Sequence, residues 1–187
     1  VALEPAHLAV EVDANKVTSV VVRFDREMDT KAHAVCGGGA SFPAVRNTYW
    51  VDAKTFALDV TLQPDHVYVM DLACPGSSGF LSRTGERLLP QPWRFATRGT
   101  PLGDGEAARA TSRLFEAIQN HYSYRDRLGI DWAELERNHL ETLATAADGA
   151  SFALRAANLL AAAQDPHISV QWREAVLPTF TRHGESN

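Results

Sequence analysis

The chain has 187 residues, of which 45% are hydrophobic and 22% charged, a composition typical of a folded globular protein. Its formal net charge of -5 argues against a nucleic-acid surface, because phosphate binding needs clustered lysine and arginine side chains. The sequence also lacks the run of about 18 apolar residues that a membrane span requires. Its length allows one domain or two small ones.

The first half of the chain shows strand patterns. Apolar residues alternate, or β-branched residues cluster, in five runs that turn-forming residues separate. These runs are 8–12, 17–24, 56–62, 67–72 and 93–97. The residues expected to share one face of the third run are Phe56, Leu58, Val60 and Leu62. Short strands with regular turns predict an antiparallel β-sandwich over residues 1–98.

A cluster of Gly, Pro and small polar residues at 99–105 predicts a linker, and helical periodicity begins at Glu106. Ala110, Leu114, Ile118 and Tyr122 recur at helical spacing, so a first helix is expected there. Asp131 is the expected N-cap of a second helix whose buried stripe is Leu135, Leu140 and Leu143. Ser151 is the expected N-cap of a third, which Asp165 and Pro166 end.

Residues 106–170 therefore predict a three-helix bundle, and residues 171–187 are expected to be a tail. The predicted fold class is α+β with two domains.

The chain has two cysteines, Cys36 and Cys74, for which two interpretations stay open. In an exported protein they would form one disulfide, worth roughly 3–4 kcal/mol through the loop it closes. Otherwise they are two free, buried thiols. The seven histidines are scattered, and no pair has the helical spacing of a zinc site. We therefore predict neither a metal nor a cofactor.

Three motifs in the first half resemble those of bacterial Ig-like domains of the surface-layer type. Residues 22–29 resemble the F-(S/D)-x-x-M-(D/N) signature, with Phe24 and Met28 at its apolar positions. Residues 62–68 are similar to the L-x-P-(G/D)-x-x-Y turn, which ends at Tyr68. Residues 85–97 resemble the closing G-x-x-L … F-x-T. The resemblance implies an Ig-like sandwich and an extracytoplasmic location, periplasmic or secreted. Core packing is the main role expected of these residues, with Tyr68 burying its ring and hydrogen-bonding its hydroxyl at a corner.

The helical half resembles the N-terminal bundle of tail-specific, tricorn-like serine peptidases, the C-terminal-processing group. The matching residues are the Y-x-Y of 122–124, the G-I-D-W of 129–132 and a closing D-x-H-x-x-V at 165–170. Ala163 stands where the family has leucine. In that family a later domain supplies the nucleophilic serine, so the resemblance implies that the tail at 171–187 leads to a catalytic domain missing from this chain. Some members use a histidine just after the bundle as general base. His167 matches that position, which suits an imidazole because it titrates near neutral pH.

Two functions remain open. The chain is either the non-catalytic N-terminal region of a secreted serine peptidase, serving docking and substrate-channel capping, or a stand-alone extracytoplasmic Ig-like module that binds protein. His167 is catalytic only if a serine lies downstream, because no Gly-x-Ser-x-Gly motif occurs in the sequence. The chain alone is therefore expected to be inactive, and its expected partner is a protein or peptide. A third interpretation is sugar stacking by Tyr49 or Trp50.

Overall fold

The described part of the chain, residues 1–72, 74, 77, 79–127 and 129–180 of the computed structural model, has an α+β fold. One sheet has the strand order β1-β3-β5-β4, and all of its pairs are antiparallel. Its strands are β1 (Ala2–Glu4), β3 (Ser19–Arg23), β4 (Ala44–Asp52) and β5 (Thr55–Thr61).

The second sheet has the order β2-β7-β6, with bounds β2 (Ala9–Val12), β6 (Val67–Asp71) and β7 (Pro92–Thr97). β6 and β7 are antiparallel, whereas β2 runs parallel to β7, so the expectation of a wholly antiparallel sandwich is wrong for this pair. The reason is that β1 and β2 are consecutive along the chain yet belong to different sheets. Cys36 extends the sheet on the far side of β6 through an isolated bridge to Asp71.

The two sheets enclose one apolar core. Along β3 every second side chain, Val20 and Val22, is buried in this core, as the period of two requires. The inward residues predicted for β5 and the turn after it, Phe56, Leu58, Val60 and Leu62, are all buried. The second sheet contributes Tyr68, Met70, Trp93 and Phe95. Tyr68 buries its ring, and its hydroxyl accepts a hydrogen bond from the backbone N–H of Gln63 at 2.7 Å, which confirms the corner predicted for this residue.

Three helices follow: α1 (Glu106–His121), α2 (Trp132–Ala144) and α3 (Gly149–Leu160), the last continued by a 3-10 turn over Ala161–Ala163. The N-cap predicted at Asp131 is confirmed, since its side chain accepts the Glu134 N–H at 2.8 Å. Leu140 was expected in the buried stripe of α2 but is 47% exposed, so that assignment is wrong. Leu143 of the predicted stripe is buried and Leu135 packs partly buried against the helical core, and Trp132 is buried as well.

The N-cap of α3 is also different from the one expected. Asp148, not Ser151, caps the helix, and its Oδ1 accepts the Ser151 N–H at 2.8 Å. A carboxylate stabilises the positive end of a helix better than a hydroxyl does, which accounts for the choice. The other oxygen of Asp148 accepts the Gly99 N–H at 2.8 Å. The residues predicted as a linker are thus hydrogen-bonded to the turn that starts α3.

The helical half shares a second core with the sheet β2-β7-β6. Small residues of α3, Ala150, Ala153 and Ala157, pack with Val67 and Ala96 on the outer face of that sheet. Residues 171–178, which the sequence assigns to a tail, lie in a hairpin of β8 (Ser169–Trp172) and β9 (Ala175–Pro178). The hairpin is part of the fold because Ala175 and Leu177 are buried in this same core. The rest of the predicted tail, 181–187, lies outside the described residues.

The hairpin is tied to the sandwich through Trp172 and Arg173. The Trp172 indole N–H donates to the Asp65 carbonyl at 3.1 Å, and Arg173 forms an ion pair with the Asp65 carboxylate. The Trp172 ring also lies against Gly149, where a Cβ would collide with it. One aromatic side chain therefore joins the turn before β6, the hairpin and the start of α3.

Candidate functional site

The site predicted at the end of the helical half is a loop between α3 and β8. The 3-10 turn stops at Gln164, whose backbone is left-handed with φ of 46°. This reversal directs the chain into Asp165, whose carbonyl accepts the Ile168 N–H at 3.2 Å. Asp165 is only 2% exposed, whereas the side chain of His167 is 88% exposed. A buried carboxylate thus lies beside an accessible imidazole.

Three donors converge on the Asp165 carboxylate. Its Oδ1 accepts the backbone N–H of His167 at 2.9 Å and contacts His167 Nδ1, also at 2.9 Å. Its Oδ2 accepts the Tyr122 hydroxyl at 3.0 Å. These donors lower the pKa of Asp165, chiefly through the His167 backbone amide, so the group is ionised at neutral pH.

The protonation of Asp165 determines which nitrogen of His167 carries the proton. An ionised carboxylate is only an acceptor, so Nδ1 must be the donor in this pair. In the neutral imidazole, Nε2 is then the nitrogen with the free lone pair. Within the described part of the chain, Nε2 has no hydrogen-bond partner. The arrangement resembles the base and its orienting acid in a serine hydrolase, where the acid fixes tautomer and orientation.

Aromatic side chains from α1 and α2 support this loop. The Tyr122 ring meets the Trp132 ring edge-on, with centroids 6.0 Å apart. The Trp132 indole N–H donates to the Arg125 carbonyl at 2.8 Å, which fixes the segment between the two helices. The site therefore brings together residues from all three motifs of the helical half: Tyr122, Trp132, and the pair Asp165 and His167. The helical spacing places Tyr122 on a helix face and does not reveal its hydrogen bond to Asp165. The Y-x-Y motif was the only sequence signal that singled out Tyr122.

No serine hydroxyl among the described residues is hydrogen-bonded to His167. The other histidines lie elsewhere. His121 is exposed at the end of α1, and His139 Nδ1 lies 3.0 Å from the Leu135 carbonyl. His66 Nε2 contacts the Ala40 carbonyl at 2.6 Å.

In the part of the chain that the structure describes, no group of three or more His, Cys, Asp or Glu side chains is placed to hold a metal ion. His183 lies outside the described residues. None of the helices in the same part combines the length and apolar character that crossing a bilayer would need.

The two cysteines, for which the sequence leaves two states open, are joined in a disulfide, with Cα atoms 5.5 Å apart. The bond connects the segment before β4 with the segment after β6. Next to it, Cys36 exchanges backbone hydrogen bonds with Asp71 at 2.8 and 2.9 Å.

The aromatic pair considered for sugar stacking is split between two environments. Trp50 packs against Phe24, Phe56 and Phe80 at ring distances of 5.2–5.9 Å and so belongs to the sandwich core. Tyr49 is exposed, and its hydroxyl donates to Asp59 at 3.3 Å.

No protein-family model matches the chain, and no curated protein matches it. Among solved structures, a crystal structure of the S-layer protein rSbsC is similar over 55% of this chain, with 16% identity and a TM-score of 0.33. The matched part spans 14% of the length of that S-layer chain.

Proposed function

We propose that this chain is the non-catalytic N-terminal region of an extracytoplasmic serine peptidase of the C-terminal-processing, tricorn-like group. In this proposal His167 is the general base for a serine that another segment supplies. The helices cap the substrate channel, and the β-sandwich is an Ig-like docking module. No serine among the described residues is hydrogen-bonded to His167. We therefore expect the chain by itself to be inactive, because a hydrolase without nucleophile and oxyanion hole cannot stabilise its transition state.

The observation that carries the proposal is the pairing of Asp165 with His167. Asp165 is buried and held by three donors, while the imidazole next to it is open to solvent. A histidine with a structural role alone would gain most by being buried or by using both nitrogens. Here one nitrogen is fixed by a carboxylate and the other is free, as a general base requires.

The docking role rests on the topology of the sandwich. The order β1-β3-β5-β4 corresponds to the A-B-E-D sheet of a constant-type immunoglobulin domain. In the second sheet, the bridge at Cys36 corresponds to strand C, β6 to strand F and β7 to strand G. The Tyr68 corner supports the same assignment. The disulfide supports a location in an oxidising compartment, where such bonds persist.

The first test is the intact mass of the native gene product from its source, compared with the 20.5 kDa of this chain. The same product is then treated with a fluorophosphonate probe, which labels activated serines. We expect a heavier product that is labelled. Substituting His167→Ala in it should slow labelling by about 100-fold or more, because general-base catalysis contributes roughly 10²–10⁴ in rate.

The matched control is His121→Ala, which removes an exposed histidine at the end of α1. Its labelling rate should equal that of the unmodified protein. A product near 20.5 kDa that the probe does not label would contradict the peptidase proposal, and so would equal labelling of the His167→Ala protein.

The alternative, a stand-alone module that binds protein, is favoured by one feature. β4 is a nine-residue strand whose only strand partner in the described chain is β5, so its other edge can pair with a further strand. Register shifts near Val45 and near Trp50 interrupt the pairing of β4 with β5. A photo-crosslinker at exposed Asn47 should then capture a defined partner, and the same group at Ser112 on α1 should not. Equal capture at both positions would contradict this alternative.

A further inference from the structure

The carboxylate of Asp165 has two oxygens that are held from opposite sides. Oδ1 receives the two donors of His167, and Oδ2 receives the Tyr122 hydroxyl at 3.0 Å. The last side-chain torsion of an aspartate is broad, because it joins an sp³ to an sp² carbon. Contacts at one oxygen therefore leave the carboxylate plane free to rock about that oxygen. A donor at the second oxygen is what fixes the plane.

Tyr122 is well placed to be that donor. It forms the C-cap of α1, and its ring is wedged edge-on against Trp132. Burial raises the pKa of Tyr122, and the contact with Asp165 raises it further, so the phenol keeps its proton through the neutral range. The other tyrosine of the motif is different, because Tyr124 is 57% exposed and lies under the Arg127 guanidinium.

We infer that Tyr122 is a positioning residue: its hydroxyl fixes the Asp165 carboxylate in the orientation that keeps His167 in the Nδ1–H tautomer. Nε2 is then the proton-accepting nitrogen without any further adjustment. The inference deepens the proposed function and rests on it for its enzymatic meaning, since only a catalytic His167 needs a fixed tautomer. The hydrogen bond from Tyr122 and its effect on the His167 tautomer are properties of this chain alone, and both can be measured in the absence of a catalytic serine.

The test is nitrogen NMR on the 187-residue chain labelled with ¹⁵N-histidine, at mildly alkaline pH where imidazole is neutral. The His167 signals are identified by their loss in His167→Gln. We expect Nδ1 at the shift of a protonated nitrogen and Nε2 at that of an unprotonated one. In Tyr122→Phe, which keeps the ring and removes the hydroxyl, the preference for Nδ1–H should fall roughly three- to tenfold, because one charge-assisted hydrogen bond is lost.

Tyr124→Phe is the matched control and should leave both nitrogen shifts unchanged. Asp165→Asn is the positive reference, because it removes the ionised acceptor and should abolish the preference. If Asp165→Asn shifts the tautomer and folded Tyr122→Phe does not, Tyr122 only packs and the inference is overturned. If neither changes it, the Asp165–His167 pairing itself is absent, and the inference and the basis of the proposed function fail together.

A second measurement does not depend on the folding of Tyr122→Phe. The ionisation of Tyr122 is followed through its ¹³Cζ shift in the unmodified chain and in Asp165→Asn. Loss of the negative neighbour should move its midpoint to lower pH, and an unchanged midpoint would overturn the hydrogen bond on which the inference depends. A confirmed tautomer effect combined with no fluorophosphonate labelling of the native product would reject the peptidase proposal and leave the positioning role of Tyr122 standing.

Discussion

The contact between Gly149 and Trp172 predicts whether Gly149→Ala raises or lowers the stability of the protein. Gly149 is the first residue of α3, and its backbone is compatible with alanine. Considered without that contact, Gly149→Ala should stabilise the protein by about 0.4–1 kcal/mol, because alanine lowers the conformational entropy of the unfolded chain. The added Cβ, however, would collide with the Trp172 ring. Overpacking costs about 1–3 kcal/mol. Swinging the ring away instead loses its hydrogen bond to Asp65, worth roughly 0.5–1.5 kcal/mol.

The steric effect is the larger, so Gly149→Ala should destabilise the protein by about 0.5–2 kcal/mol. In a Trp172→Ala background the same change should become stabilising by about 0.4–1 kcal/mol, since the obstacle is gone. The free energy of unfolding in both backgrounds is measured by urea unfolding monitored by far-UV circular dichroism. Fluorescence is avoided because Trp172→Ala removes a fluorophore. Gly103→Ala is the control: its Cβ makes ordinary contact with Glu106, and the change should stay within about 0.5 kcal/mol. Equal stabilisation in both backgrounds would refute the close approach of the hairpin to α3.

Three further outcomes are expected. Replacing Cys36 and Cys74 with serine should cost roughly 4 kcal/mol, because the bond closes a loop of 38 residues, and should lower the calorimetric Tm by about 8–16 °C; an unchanged Tm would contradict it. Tyr68→Phe should cost about 1–3 kcal/mol in urea unfolding, because the Gln63 amide loses its acceptor. The pKa of Asp165 is lowered in the folded state, chiefly by the backbone amide two residues on, so its stabilisation is present above about pH 4 and is lost as pH falls through that lower pKa. The difference in free energy of unfolding between the wild type and Asp165→Asn should therefore become smaller below about pH 4. A difference that does not change with pH would contradict this expectation.

The elements that sequence periodicity could predict are those with one buried face. In β5 and the turn after it, Phe56, Leu58, Val60 and Leu62 are buried in the core as expected. Helices with a local start signal were predictable too, as Asp131 demonstrates for α2. The exposure of Leu140 could not be predicted, because the local sequence of a helix does not specify which other elements will pack against it. The side chain of Leu140 stays exposed in the folded chain.

The missed elements lack a local signal. β4 has a largely exposed burial pattern because it is an edge strand, so its side chains do not alternate in polarity. β8 and β9 are four residues each and obtain their stability from Ala175 and Leu177, which are buried by α3 and the sheet. Such a hairpin is marginal alone and exists through tertiary contacts. The disulfide was open for the same reason, since only the fold brings Cys36 and Cys74 together.

The position of His167 follows from the two faces of α3. One face, with Ala153 and Ala157, lies on the sheet β2-β7-β6, and the opposite one, with Leu159 and Leu160, packs with α1 and α2. The end of α3 is thus held in place by packing against both hydrophobic cores. Two residues after His167 the chain enters β8, which Trp172 ties to Asp65 at the turn before β6. His167 is therefore fixed relative to the β-sandwich as well as to the helices. Under the proposed peptidase function, a segment that brings a serine to Nε2 must fit a surface composed of the helices and the hairpin together. Loosening the hairpin should then slow the proposed reaction without any change to the imidazole.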